Sequence, residues 1–171
     1  MKPLQYHSTL TIGLNVFKTS LTMIRINRKT DYAIRVVLAL SKQPAGTRLS
    51  SAKIQQEMLI PKAFMPRIVA QLAAVGLVKT HAGRDGGLEL PRPTSEITLR
   101  DVVDAFEGPI LLSECMQSKG EDDCPFRADC PVRSRWGRVQ AAMLREMVSV
   151  TFEELAKESL DVSLMMSGAV S

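Results

Sequence analysis

Apolar residues recur with a helical period along most of the chain. Ala33, Val36, Val37 and Leu40 fall at i, i+3, i+4 and i+7, which puts one buried stripe on a helix from about Arg28 to Lys42. Thr30 or Asn27 can cap its start, and the turn QPAGTR ends it. Ser50 can cap a short second helix over SAKIQQEML, with Ile54 and Met58 facing inward. Pro61 breaks the pattern. Phe64, Ile68, Leu72 and Val75 then carry a third helix, which Gly76 ends where a left-handed cap is wanted. Pro66 has no backbone donor and is tolerated only in a first turn, so this helix is expected to begin near Ala63.

After Gly76 the period changes. Leu77–Thr80 and Leu88–Leu90 are two short runs around the turn HAGRDGG, the pattern of a β-hairpin, and Pro91 and Pro93 close it. Helical spacing then returns. Thr98 with Asp101 forms a capping box, Leu99, Val102, Val103 and Phe106 give an apolar face, and Gly108 stops the segment. A polar loop follows from about Ser113 to Cys130. Pro131 can start a long helix to about Val150, with Val132, Trp136, Val139, Met143, Met147 and Val150 at spacings of three and four, a seam suited to packing on a partner helix. Thr151 with Glu154 makes a second capping box and opens a short separate helix, and the tail beyond Ser159 is expected to be poorly ordered.

Three helices and then a hairpin is the order of a winged helix-turn-helix, whose third helix enters the major groove while the hairpin lies along the backbone or minor groove. The fold expected is mainly α with a small β-hairpin: a winged helix-turn-helix plus a long dimerisation helix. Residues 23–100 form the DNA-binding domain, 101–130 a linker helix and cysteine loop, and 131–159 the dimerisation helix and a short C-terminal helix. Residues 160–171 are a disordered tail. Residues 1–22 are a disordered arm, or sequence upstream of a start at Met23.

Composition supports this picture. Aromatic residues make up 5% of the chain and hydrophobic residues 45%, so Leu, Val, Ile, Ala and Met must build the core, which favours helices over a β-sandwich. The charge is divided. Met23 to Arg100 holds 13 Lys and Arg against 5 Asp and Glu, whereas Asp101 to Ser171 holds 7 against 13. Only the first half is therefore suited to a polyanion such as double-stranded DNA. No apolar run approaches the roughly 20 residues that span a bilayer. LTIGLNVF near the start is short, broken by Thr and Asn, and lacks a small-residue cleavage site, so neither a signal peptide nor a membrane partner is expected and the protein is read as cytoplasmic. With two His and no nucleophile–base arrangement, the chain is not read as an enzyme.

Candidate DNA contacts follow from these elements. Lys62, Arg67 and Gln71 lie on the third helix with side chains suited to phosphates or base edges, although an ordinary solvated face has the same composition. Lys79, His81 and Arg84 sit at the hairpin, where glycines let backbone approach a duplex.

Cys115, Cys124 and Cys130 form C-x8-C-x5-C, with Pro after the second and third. The surrounding loop is acidic and poor in large apolar residues, which argues for ligands or reactive thiols over small core hydrophobes. Soft thiolates suit an iron–sulfur cluster, zinc or copper(I), and the spacing alone leaves cluster, zinc and thiol chemistry open. Three thiolates would leave one metal position for another ligand.

MIRINRKTDYAIRVVLAL, IPKAFMPRIVAQLAAVGLVKT, the GRDGG turn, ITLRDVVDAFEG and the cysteine loop before a Trp-containing helix resemble, in this order, the Rrf-two-type bacterial regulators. The resemblance covers about Met23 to Ser159. It implies a homodimer of winged helices joined by the long helix and bound to a palindromic operator. It further implies that Cys115, Cys124 and Cys130 hold a [2Fe-2S] or [4Fe-4S] cluster. The acidic loop is most similar to the RirA-like branch. Arg133 stands where the IscR-like branch has a His ligand. Asp31 occupies the TDY position that supplies a cluster ligand across the dimer in NsrR-like members. Ala82 stands where many members carry an Arg that enters the minor groove, which leaves His81 or Arg84 for that role. The function implied is a DNA-binding repressor that senses iron, iron–sulfur or redox status. A nitric-oxide-sensing repressor and a thiol-redox regulator without a cluster are the alternatives.

Overall fold

A computed structural model describes residues 26–83, 86–113, 116 and 129–159. Helix α1 (Arg28–Ser41) is the centre of the fold. Its start is fixed by Asn27, whose side-chain oxygen accepts from the amides of Lys29 and Thr30, so Asn27 and not Thr30 is the cap. The stripe of Ala33, Val36, Val37 and Leu40 is buried, and α1 packs on α2 (Ser51–Met58), α3 (Met65–Ala74) and α4 (Leu99–Glu107).

Ser50 caps α2 through the amide of Lys53, as its place in the sequence implied. The turn between α2 and α3 is less ordinary. Leu59 takes a left-handed conformation at φ 52° with its side chain 80% exposed, a position usually given to Gly or Asn. Helix α3 starts at Met65, two residues later than expected, and Pro66 is its second residue, where no amide is needed.

The wing consists of β1 (Lys79–His81) and β2 (Gly87–Glu89), antiparallel with Lys79 opposite Glu89 and His81 opposite Gly87. Leu49 joins the edge of this two-stranded sheet as an isolated bridge, exchanging both backbone hydrogen bonds with Leu88 at 3.0 and 2.8 Å. That approach requires glycine at position 87, since a Cβ there would lie 2.7 Å from the Leu49 carbonyl oxygen.

Thr98 and Asp101 form the capping box of α4, and Gly108 ends that helix. Helix α5 (Pro131–Ser149), about 28 Å long at 1.5 Å per residue, has no buried residue. The chain then turns back. Leu99 donates to the Val150 carbonyl and Phe152 to that of Ile97, both at 2.9 Å, and the second capping box, Thr151 with Glu154, opens α6 over 152–159. Phe152 is 0% exposed and packs in the same core as α1, so the segment after the long helix belongs to the DNA-binding unit's core.

Truncating Phe152 to Ala is therefore expected to cost about 3–5 kcal/mol of unfolding free energy in a denaturant titration. A loss under about 1 kcal/mol would show that the C-terminal return does not support the core.

Candidate nucleic-acid interface

Helix α3 and the start of α1 lie side by side. Between them is a cleft of 360 Å³, floored by Phe64, Ile68 and Phe106 and bordered by Lys29, Arg67 and Gln71. Arg67 is in the first turn of α3. Lys62 lies in the turn before α3, not on the helix as the sequence pattern suggested. Both are exposed, and neither has an ion-pair partner among the described residues. Gln71 is placed differently. Its Nε2 donates to the Ala105 carbonyl at 2.6 Å, so its amide is held against the last turn of α4.

That last turn also grips α1. The Glu107 carboxylate accepts from the Asn27 amide at 2.8 Å and from the Thr30 hydroxyl, a fully buried group. Burial pushes the Glu107 carboxyl up, but the bonds from Thr30 and Asn27 outweigh it and leave the group below its ordinary range. Tyr32 extends the contact by meeting Phe64 edge-on, with ring centroids 5.1 Å apart.

Among the described residues of the wing, the basic side chains converge on one carboxylate. Glu89 faces His81 Nε2 at 3.0 Å, Arg48 Nε at 3.2 Å and Lys79 Nζ at 3.8 Å. The His81 ring holds the Glu89 carboxyl below its usual range against an opposing effect of burial, and Arg48 adds to it. His81 is only 18% exposed at its side chain. Its Nε2 is shielded from solvent and lies close to the carboxylate without the alignment of a hydrogen bond. Lys79 remains open to solvent at its end, and Ala82 is exposed at the wing tip. Arg84 lies outside the described residues.

Of the cysteines, Cys130 is described and Cys115 and Cys124 lie outside the described residues. Cys130 is the residue before α5, half-buried, and its side chain makes no bond to the helix start. Asp31 is in the first turn of α1 and pairs with Arg35 at 2.8 Å. Among the described residues, no three His, Cys, Asp or Glu side chains gather as a metal site.

The profile of the family described as "Rrf2: Iron-dependent Transcriptional regulator" matches residues 26–158. The chain belongs to the Rrf2 family of transcriptional regulators. Protein aau3 of Rhizobium meliloti is 31% identical over 144 residues, covering 84% of this chain and 92% of that one. The regulator NsrR of Oceanobacillus iheyensis is 25% identical over 143 residues, with 84% and 97% covered. The solved structure of CymR, the global cysteine regulator of B. subtilis, superposes with a TM-score of 0.66 at 29% identity, covering 80% of this chain and 98% of that one. Rrf2 regulators bind DNA, are typically dimeric and are not enzymes. This matches the winged-helix fold read from the pattern of helices and hairpin. No helix among the described residues is long and apolar enough to cross a membrane.

Sequence reasoning missed four residues of this Rrf2 regulator's candidate interface: Lys29, Arg48, Glu89 and Glu107. The FEG end of α4 offered one signal, because an acid just before a helix-stopping Gly sits against the helix dipole and needs a reason to be there.

Glu107 also yields a pH dependence. Its carboxyl is lowered from 4.5 in the fold, so its stabilisation is complete above that value and is lost as pH falls through the folded value. In denaturant titrations across the acid range, the stability advantage of wild type over Glu107→Gln is expected to shrink steadily below about pH 4.5. A difference that is constant with pH would contradict the hydrogen-bonded carboxylate.

Proposed function

We propose that this Rrf2 regulator is a homodimeric repressor that binds a palindromic operator in double-stranded DNA through α1–α3. Its affinity for DNA is set by an iron–sulfur cluster on Cys115, Cys124 and Cys130. The observation that carries this reading is the position of the cysteine segment. It connects the last turn of α4, which holds both α1 and α3, to α5, whose apolar seam is uncovered in the single chain. On that seam Trp136 is 43% exposed and Val132 58%, as a second copy of α5 would require.

The chemistry of the donor set fits. Cys130 has a sulfur that is not spent on capping α5, and three thiolates are the soft ligands that such a cluster takes. Asp31 can serve as a fourth ligand by giving up Arg35, a pair exposed enough to cost little. A bound cluster supplies a group that iron supply and oxidants alter, between the recognition unit and the dimer helix. In the protein itself, Gln71 and Glu107 tie the recognition helix and α1 to the turn from which the cysteine loop departs.

Protein purified without oxygen is expected to be coloured and to lose or gain at least tenfold in affinity for a genomic operator fragment when the cluster is removed, a change of about 1.4 kcal/mol. A colourless protein with stoichiometric zinc would contradict the cluster, and unchanged affinity would contradict the sensing role. A response to nitric oxide without a response to iron chelation would favour the nitric-oxide-sensing alternative.

A further inference from the structure

We infer that the cleft between the starts of α1 and α3 holds a phosphate of the DNA backbone, with Lys29 and Arg67 as its two cationic walls. The inference rests on the DNA-binding reading and deepens it. It follows from which positive charges the fold has already matched. Within the first hundred residues, Arg35, Arg48, Lys53, Lys79 and Arg100 each face a carboxylate among the described residues. Arg28, Lys29, Lys42, Lys62, Arg67 and Arg92 face none. Lys42 is at the far end of α1, and Arg92 lines a separate hollow near that end. The other four gather where α1 and α3 begin.

The cleft joins those two beginnings. Lys29 borders it from the first turn of α1 and Arg67 from the first turn of α3, and no carboxylate lines it. Two unmatched cations on either side of a recess fit one phosphodiester, and the apolar floor of Phe64, Ile68 and Phe106 fits the carbon face of a deoxyribose. The amides at the start of α1 are not the ligands. Those of Lys29 and Thr30 are taken by the Asn27 side chain and that of Asn27 by Glu107, which leaves the side chains to do the binding. At the wing the opposite holds, since Glu89 draws Lys79, His81 and Arg48 to itself. A cation already matched by a carboxylate has less to gain from a phosphate.

The test uses a fluorescently labelled random-sequence duplex and full-length protein, with anisotropy titrations over a series of salt concentrations. Removing one phosphate-binding cation makes the slope of log affinity against log salt shallower by about 0.9. Lys29→Ala and Arg67→Ala are each expected to show that change, whereas Lys79→Ala changes the slope by less than half as much. Thermal melts by circular dichroism are expected to be unchanged for all three exposed substitutions. A wild-type slope for Lys29→Ala, or equal effects of Lys29→Ala and Lys79→Ala, would overturn the inference. Failure of the wild type to bind the duplex at any salt would instead overturn the DNA-binding reading on which this rests.

Discussion

The Glu107 carboxylate, held between the Asn27 amide and the buried Thr30 hydroxyl, decides how α4 ends against α1. Thr30 has no exposed surface, and a buried hydroxyl left without a partner would cost about 1–3 kcal/mol, so the carboxylate and the helix start need each other. Two residues earlier in the same turn, the Ala105 carbonyl accepts from Gln71 of α3. Phe106, between them, floors the cleft. Three consecutive residues of α4 thus meet α1, the cleft and α3, and this turn adds to the direct contact of α1 with α3 through Tyr32 and Phe64.

This arrangement sorts the charges of the basic half. Where α1 and α3 begin, Glu107 is occupied by Asn27 and Thr30 and Asp31 pairs with Arg35, so among the described residues Lys29 and Arg67 stay unmatched. In the wing, Arg48, Lys79 and His81 share one carboxylate, that of Glu89. On α5, Val132, Trp136 and Val139 remain exposed.

Much of this fold was legible because its signals are local. The stripe of α1, the cap at Ser50, the capping boxes at Thr98 and Thr151 and the Pro at the start of α5 all depend on residues within one or two turns, and each stands where the pattern placed it. The α2–α3 turn was not legible, since Leu59 adopts a left-handed conformation with no glycine to announce it. The start of α3 lies two residues beyond the expected position because Pro66 is permitted at several places in a first turn. The site was harder than the fold. Lys62, Arg67 and Lys79 are recognisable as basic surface residues, but which of them is already matched depends on Glu89, 10 residues from Lys79 and 41 from Arg48. Gln71 has the amide of a base reader, and only the distant Ala105 carbonyl shows how it is held. The bridge of Leu49 to Leu88 and the return of Phe152 are long-range pairings of the same kind.

Hydrogen–deuterium exchange with and without duplex DNA tests most directly which face of this regulator meets its target. Added protection is expected over 27–30 and 62–71, with the wing strands 79–81 and 87–89 little changed. Protection concentrated in the wing, with the starts of α1 and α3 exchanging as in the free protein, would contradict a helix-centred interface.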